Sequence, residues 1–101
     1  MVKIKELEKY FNKSYKDILE DNDIWEITND IDILWEDYCK WERDFGYSEN
    51  ETENYLKSIK NDFYKWVENC SGSELLDYEI DTWQRHFKLE NGKYCYLNSY
   101  I

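Results

Sequence analysis

Apolar residues recur along this chain at helical intervals, and the polar positions between them mark where each run begins and ends. Ile4, Leu7 and Phe11 share one face, and Ile18 and Leu19 extend it towards Asp21. Ser14-Tyr15-Lys16-Asp17 reads as a fresh helix start, so the first segment divides as readily into two short helices as it runs on as one. The second segment has the most regular stripe. Ile24, Ile27, Ile31, Leu34, Tyr38, Trp41 and Phe45 alternate steps of three and four, which predicts one helix from near Asn22 or Asp23, with Gly46 as its C-terminal cap.

Ser48-Glu49-Asn50-Glu51 has the spacing of a capping box, and Leu56, Ile59, Phe63, Trp66 and Cys70 continue as a third stripe, closed by Ser71-Gly72. From Ser73, the residues Leu76, Ile80, Trp83 and Phe87 predict a fourth helix over 73–87, although Tyr78-Ile80-Thr82 also alternates like a strand. In the tail, Asn91-Gly92 separates two short apolar-polar runs. That pair predicts a type I′ turn and a β-hairpin over 86–97, in competition with the helix for Phe87. The fold class expected is mainly α. It is a compact bundle of three to four helices with a short C-terminal β-hairpin, a single helical domain over 1–101.

Composition supports a folded chain. Of 101 residues, 19% are aromatic, with five Trp and ten Tyr, a content that acidic disordered tails lack. The absence of Pro permits long helices. No unbroken apolar stretch suits a signal peptide or a membrane span. Cys39, Cys70 and Cys95 are odd in number and unpatterned, as expected of reduced thiols in a cytosolic protein.

The net charge of −10 argues against direct binding to nucleic acid. Its distribution says more. From Asp17 to Leu56 there are fourteen carboxylates against Lys40 and Arg43, a net of −12, and the remainder of the chain carries +2. Asp23, Asp30, Asp37 and Asp44 recur every seven residues, about 10.5 Å apart if one helix carries them all. Glu26 fills the gap between the first two, and Asp32 and Glu36 form an i, i+4 pair further round. A solvated face neutralised by Lys57, Lys60 and Lys65 or by the N-terminal lysines is one reading. The other is a binding face in which Asp23, Glu26, Asp30, Asp32, Glu36, Asp37 and Asp44 stand in for phosphates. Trp41, Trp66 and Trp83 lie on stripes and read as core, whereas Trp25 and Trp35 either widen the buried face or anchor a partner.

Catalytic and metal motifs fail on inspection. A di-metal bundle site needs paired Glu-x-x-His motifs, and His86 is the single histidine. Asp21-Asn22-Asp23 lacks the ligands and glycine of a calcium loop, and no glycine cluster could cradle phosphate. A Cys95–His86 pair across the hairpin is the one nucleophilic arrangement left open, against a plain structural role for both. The expectation is a non-enzyme without cofactor or metal.

In size, acidity, abundance of Tyr and Trp and lack of a catalytic motif, the whole chain resembles the small acidic inhibitors of phages and other mobile elements. These are anti-CRISPR proteins and DNA-mimicking inhibitors of repair or restriction enzymes. The resemblance implies a stoichiometric inhibitor that occupies a basic nucleic-acid channel of a bacterial defence complex. A fainter resemblance links the chain to immunity proteins that neutralise nuclease toxins. The heptads of both central helices also suit a dimerising helical adaptor. The partner expected is therefore a basic protein, with no direct nucleic acid and no membrane, and the chain itself is a monomer or homodimer.

Overall fold

Two short helices open the chain. α1 (Ile4–Phe11) begins where the Glu6 carboxylate accepts the Lys3 N–H and Glu90 accepts that of Ile4. It stops at Asn12, whose left-handed φ of 55° suits that residue. Ser14 then caps α2 (Tyr15–Glu20) by accepting the Asp17 N–H at 3.2 Å, so the first segment is two helices. The computed structural model describes residues 1–45, 47–77 and 79–98. The expected cap at Gly46 and the residue Tyr78 lie outside them.

The single helix expected from Asn22 to Phe45 does not form. Asn22, at φ 59°, turns the chain into β1 (Ile24–Thr28), and α3 (Ile31–Arg43) starts only after Asp30. The three-residue step from Ile24 to Ile27 fits both conformations. On a helix it keeps two residues on one face, and on a strand it sends them to opposite faces. Here the second applies: Ile24 packs on one side of a sheet and Ile27 on the other. β-Branched and aromatic residues suit the strand, and Asp30, accepting the Asp32 N–H at 2.9 Å, supplies the helix start.

α4 (Glu49–Asn69) follows the sequence reading closely, with Ser48 accepting the Glu51 N–H. The fourth helix is the second correction. Only α5 (Gly72–Leu75) is helical there; Thr82–Arg85 make a 3₁₀ turn, and Phe87 goes to β2 (His86–Lys88). Asp81 and Gln84 close that turn on each other, the Asp81 N–H reaching the Gln84 side chain and the Gln84 N–H the Asp81 carbonyl.

β3 (Tyr94–Leu97) pairs antiparallel with β2, but it also pairs with β1, so the tail is the middle of a three-stranded sheet and not a free-standing hairpin. The turn differs as well. Gly92 alone has positive φ, +86°, and the bonds between Leu89, Gly92 and Lys93 close a three-residue loop, where type I′ would need Asn91 left-handed too.

The fold is mainly helical, with the helices placed on the two faces of the sheet instead of in a bundle. One core joins Leu7, Phe11 and Ile18 to Ile24, Phe87, Cys95 and Leu97. The other joins Leu34, Trp35 and Tyr38 of α3 to Leu56, Phe63 and Val67 of α4 and to Tyr94. β2 and β3 are thus buried on both faces, which is why their sequences show little in-out alternation, whereas β1 leaves Trp25 and Glu26 exposed. The 21 residues of α4, rising about 1.5 Å each, span roughly 32 Å of a molecule 42 Å long.

Candidate partner-binding surface

The break before α3 dismantles the expected seven-residue charge row, because only Asp32, Glu36 and Asp37 lie within a helix. Asp23 is 9% exposed and its carboxylate lies 2.6 Å from the Lys13 ammonium, so its charge is cancelled internally. Glu26 sits on β1 and accepts the Tyr15 hydroxyl; Asp30 is occupied in capping α3; Asp32 accepts the Tyr64 hydroxyl at 2.8 Å. Glu36, Asp37 and Asp44 stand exposed and form no ion pair among the described residues. The neutralising role considered for the lysines falls to Lys13, with Asp21 and Asp23, and to Lys16, with Glu20. Lys57, Lys60 and Lys65 form no ion pair among the described residues.

What sequence reasoning missed is where α3 ends. Trp41 and Phe45 continue the apolar stripe, but the helix stops at Arg43 and nothing covers them. Trp41 is 43% and Phe45 58% exposed, which corrects their reading as core; Trp66 and Trp83 are half-buried, edge to face, and Trp35 is buried. Beyond Phe45 come Tyr47 at 61% and Tyr55 at 40%. With Glu42, Glu51, Thr52 and Thr82 these four aromatic residues line a groove of about 380 Å³ at the α3–α4 corner.

Aromatic rings run continuously from the sheet to this groove. Exposed Trp25 stacks on Tyr96 at 5.5 Å; His86 lies between Tyr96 and Tyr38; Trp41 stacks on Tyr38 at 6.3 Å; Phe45 and Tyr47 follow at 4.9 and 6.0 Å. The order in sequence hides this path, since its members come from β1, β2, β3, α3 and the turn after it.

Polar contacts brace the corner. The Arg43 guanidinium clasps both oxygens of Glu53 at 2.6 and 3.3 Å, tying the last turn of α3 to α4 and holding the Glu53 carboxyl below its ordinary value. Tyr38 donates to Glu42 at 2.9 Å, and its hydroxyl is pushed well above the usual phenol range, chiefly by burial, then by hydrogen bonds to Tyr55 and Glu42. Around this frame Asp37, Asp44, Glu49 and Glu51 are exposed and outside any ion pair among the described residues. Glu49 and Glu51 occupy the first turn of α4, where the helix dipole favours them, but Asp44 caps the C-terminus of α3, where the dipole opposes it.

The Cys–His arrangement left open by the sequence is absent. His86 pairs with Tyr96 and Phe87 with Cys95, so His86 and Cys95 point to opposite faces of the sheet. Burial pushes the Cys70 and Cys95 thiols up to about 12 and raises Cys39, the reverse of an activated nucleophile. Among the described residues no cluster of three or more His, Cys, Asp or Glu could hold a metal, and no helix is long and apolar enough to cross a membrane. No protein-family model, curated protein or solved structure matches the chain.

Proposed function

We propose that this chain is a stoichiometric inhibitor that binds the basic nucleic-acid-binding surface of a bacterial defence enzyme, with a CRISPR effector as the partner class. The observation that carries the reading is the α3–α4 corner. Asp37, Asp44, Glu49 and Glu51 there stand outside any ion pair among the described residues, beside exposed aromatic rings. Such effectors hold guide and target in a positively charged channel. Carboxylates at that channel would compete with phosphate for the same Arg and Lys side chains. A charged face also speeds encounter at low salt, and a braced corner loses little freedom on binding.

The phosphate surrogates in this reading are Glu36, Asp37, Asp44, Glu49 and Glu51. Asp23, Glu26, Asp30 and Asp32 give their carboxylates to the fold. The adaptor alternative depended on heptad seams free to pair between chains, and most of those positions are spent on the chain's own core.

The test is charge reversal of Asp37 and Asp44 together, read as inhibition of target cleavage by a CRISPR effector. Lysine at position 44 is favoured by the α3 dipole, so helicity should hold or rise. Inhibition should fall at least about tenfold, and wild-type potency should decline as salt rises from about 0.05 to 0.5 M. Unchanged potency in the double variant refutes phosphate mimicry.

A further inference from the structure

We infer that the groove at the α3–α4 corner is a receptor for a single arginine side chain of the partner. This rests on the proposed basic partner and says how that partner is held.

Three observations converge on a cation with several directed N–H donors. First, the walls are aromatic. Trp41, Phe45, Tyr47 and Tyr55 line the groove, and aromatic rings attract a cation and stack with a planar one. Secondly, the polar lining includes two carboxylates, Glu42 and Glu51, and none of the chain's own cations. Arg43, the nearest candidate on α3, turns to the other side of the corner to meet Glu53. A neutral apolar occupant would strip water from both carboxylates and offer nothing in return. Thirdly, Thr52 is 5% exposed, and its hydroxyl oxygen has no hydrogen-bond partner among the described residues. A buried hydroxyl without a partner is costly, and this one belongs to a residue that lines the groove.

Guanidinium answers all three. Its plane stacks on an indole or phenol ring, and its five N–H groups leave enough donors for two carboxylates and a hydroxyl. Lysine brings the charge without the plane. The volume, about 380 Å³, lies near the lower end of small-ligand pockets, roughly 300–1,000 Å³, and suits one side chain with its stem. Glu42 is already oriented by the Tyr38 hydroxyl, so the anchor is largely preorganised. Arginine is also the residue that reads bases and clasps phosphates bidentately, so capturing one removes the partner's own ligand for nucleic acid.

The experiment uses the full chain with two probes, terminally blocked hexa-arginine and hexa-lysine, followed by calorimetry and by NMR of the Trp indole and Tyr ring signals. Hexa-arginine should bind at least about tenfold more tightly than hexa-lysine and should shift the Trp41 and Tyr55 resonances. Trp41→Ala should abolish that preference. Glu51→Gln, at an exposed position in the first turn of α4, should reduce it with at most the small loss of stability that removing a charge from a helix N-terminus brings. Equal binding of the two peptides, or a preference that survives Trp41→Ala, overturns the arginine groove. The inhibitor reading is judged separately: full inhibition by Trp41→Ala with loss in the Asp37/Asp44 double variant would overturn the groove and leave mimicry standing.

Discussion

Stability should fall as the pH drops from about 6.5 to about 4, and His86 should be the reason. Its ring is 4% exposed and enclosed by Tyr38 of α3, Phe63 of α4 and Tyr96 of β3 at 5.3, 5.3 and 5.0 Å. Nδ1 lies 3.1 Å from the Trp83 carbonyl, so in the neutral ring this nitrogen donates. The carboxylate on that side is Asp37, across a cavity of about 60 Å³ that both residues line. Burial pushes the imidazole from 6.5 down to about 4, and the bond to Trp83 offsets this only in part. Between those values the unfolded chain binds a proton that the folded chain refuses. Stability is therefore complete above the window and is lost on acidification through it.

At about 1.4 kcal/mol per pKa unit, the loss between about pH 7.5 and pH 4.5 comes to roughly 2.5 kcal/mol. Set against a typical total of about 5–15 kcal/mol, that is a large share. With a urea dependence of about 1–2 kcal/mol per molar, the unfolding midpoint should move down by roughly 1.2–2.5 M. Trp fluorescence in urea at a series of pH values measures it. His86→Gln keeps an N–H donor but cannot titrate. Its absolute stability need not equal that of the native chain; its pH slope should be flatter by the stated amount. Carboxylates away from His86 contribute equally to both curves, and Glu53, held below its ordinary value by Arg43, is one of them. Parallel curves for the two proteins would refute the assignment.

Phe63→Ala should cost about 3–5 kcal/mol in denaturant unfolding, because its ring is fully buried among Trp35, Tyr38 and His86. Phe45→Ala, the same deletion on a half-exposed ring, should cost under about 1 kcal/mol, and a larger loss would mean that the corner belongs to the core. Cys39, Cys70 and Cys95, all buried with raised thiol values, should react with an aromatic disulfide reagent only at the rate of unfolding. One thiol reacting at the speed of free cysteine in the native protein would contradict that.

Elements fixed by local chemistry were legible in the sequence. Ser14 and Ser48 announced their helices because a hydroxyl three residues ahead of an N–H needs no tertiary partner. Long-range pairing was not legible. Whether Ile24–Thr28 is helix or strand depends on β3, some seventy residues away in sequence, and its burial, with Ile24 buried, Trp25 and Glu26 exposed and Ile27 and Thr28 in between, lacks the alternation that would betray a strand. The same cause ended the predicted helix over 73–87. Phe87 fits a helical stripe as well as it fits its place opposite Cys95. The three-residue loop at Glu90-Asn91-Gly92 falls on the predicted turn but is of another kind, since one glycine can serve either.

The acidic face was legible as composition and misread as geometry, and the difference changes what the charge can do. A seven-residue row needs a continuous helix, and β1 takes Asp23 and Glu26 out of it. What remains is a shorter set, Asp37 on α3 and Asp44 at its C-cap, with Glu49 and Glu51 in the first turn of α4. Solubility alone gives no reason to put Asp44 against the α3 dipole, or to leave Lys57, Lys60 and Lys65 of α4 and the carboxylates at its first turn all out of ion pairs among the described residues. Each such choice costs a few tenths of a kcal/mol. The exposed rings beside them carry a second cost, since Trp41, Phe45 and Tyr47 keep apolar surface in water that a longer α3 could have turned inward. Unpaired charge and uncovered aromatic surface meet at one corner braced by Arg43 and Glu53, which is the arrangement expected of a surface that a basic partner completes.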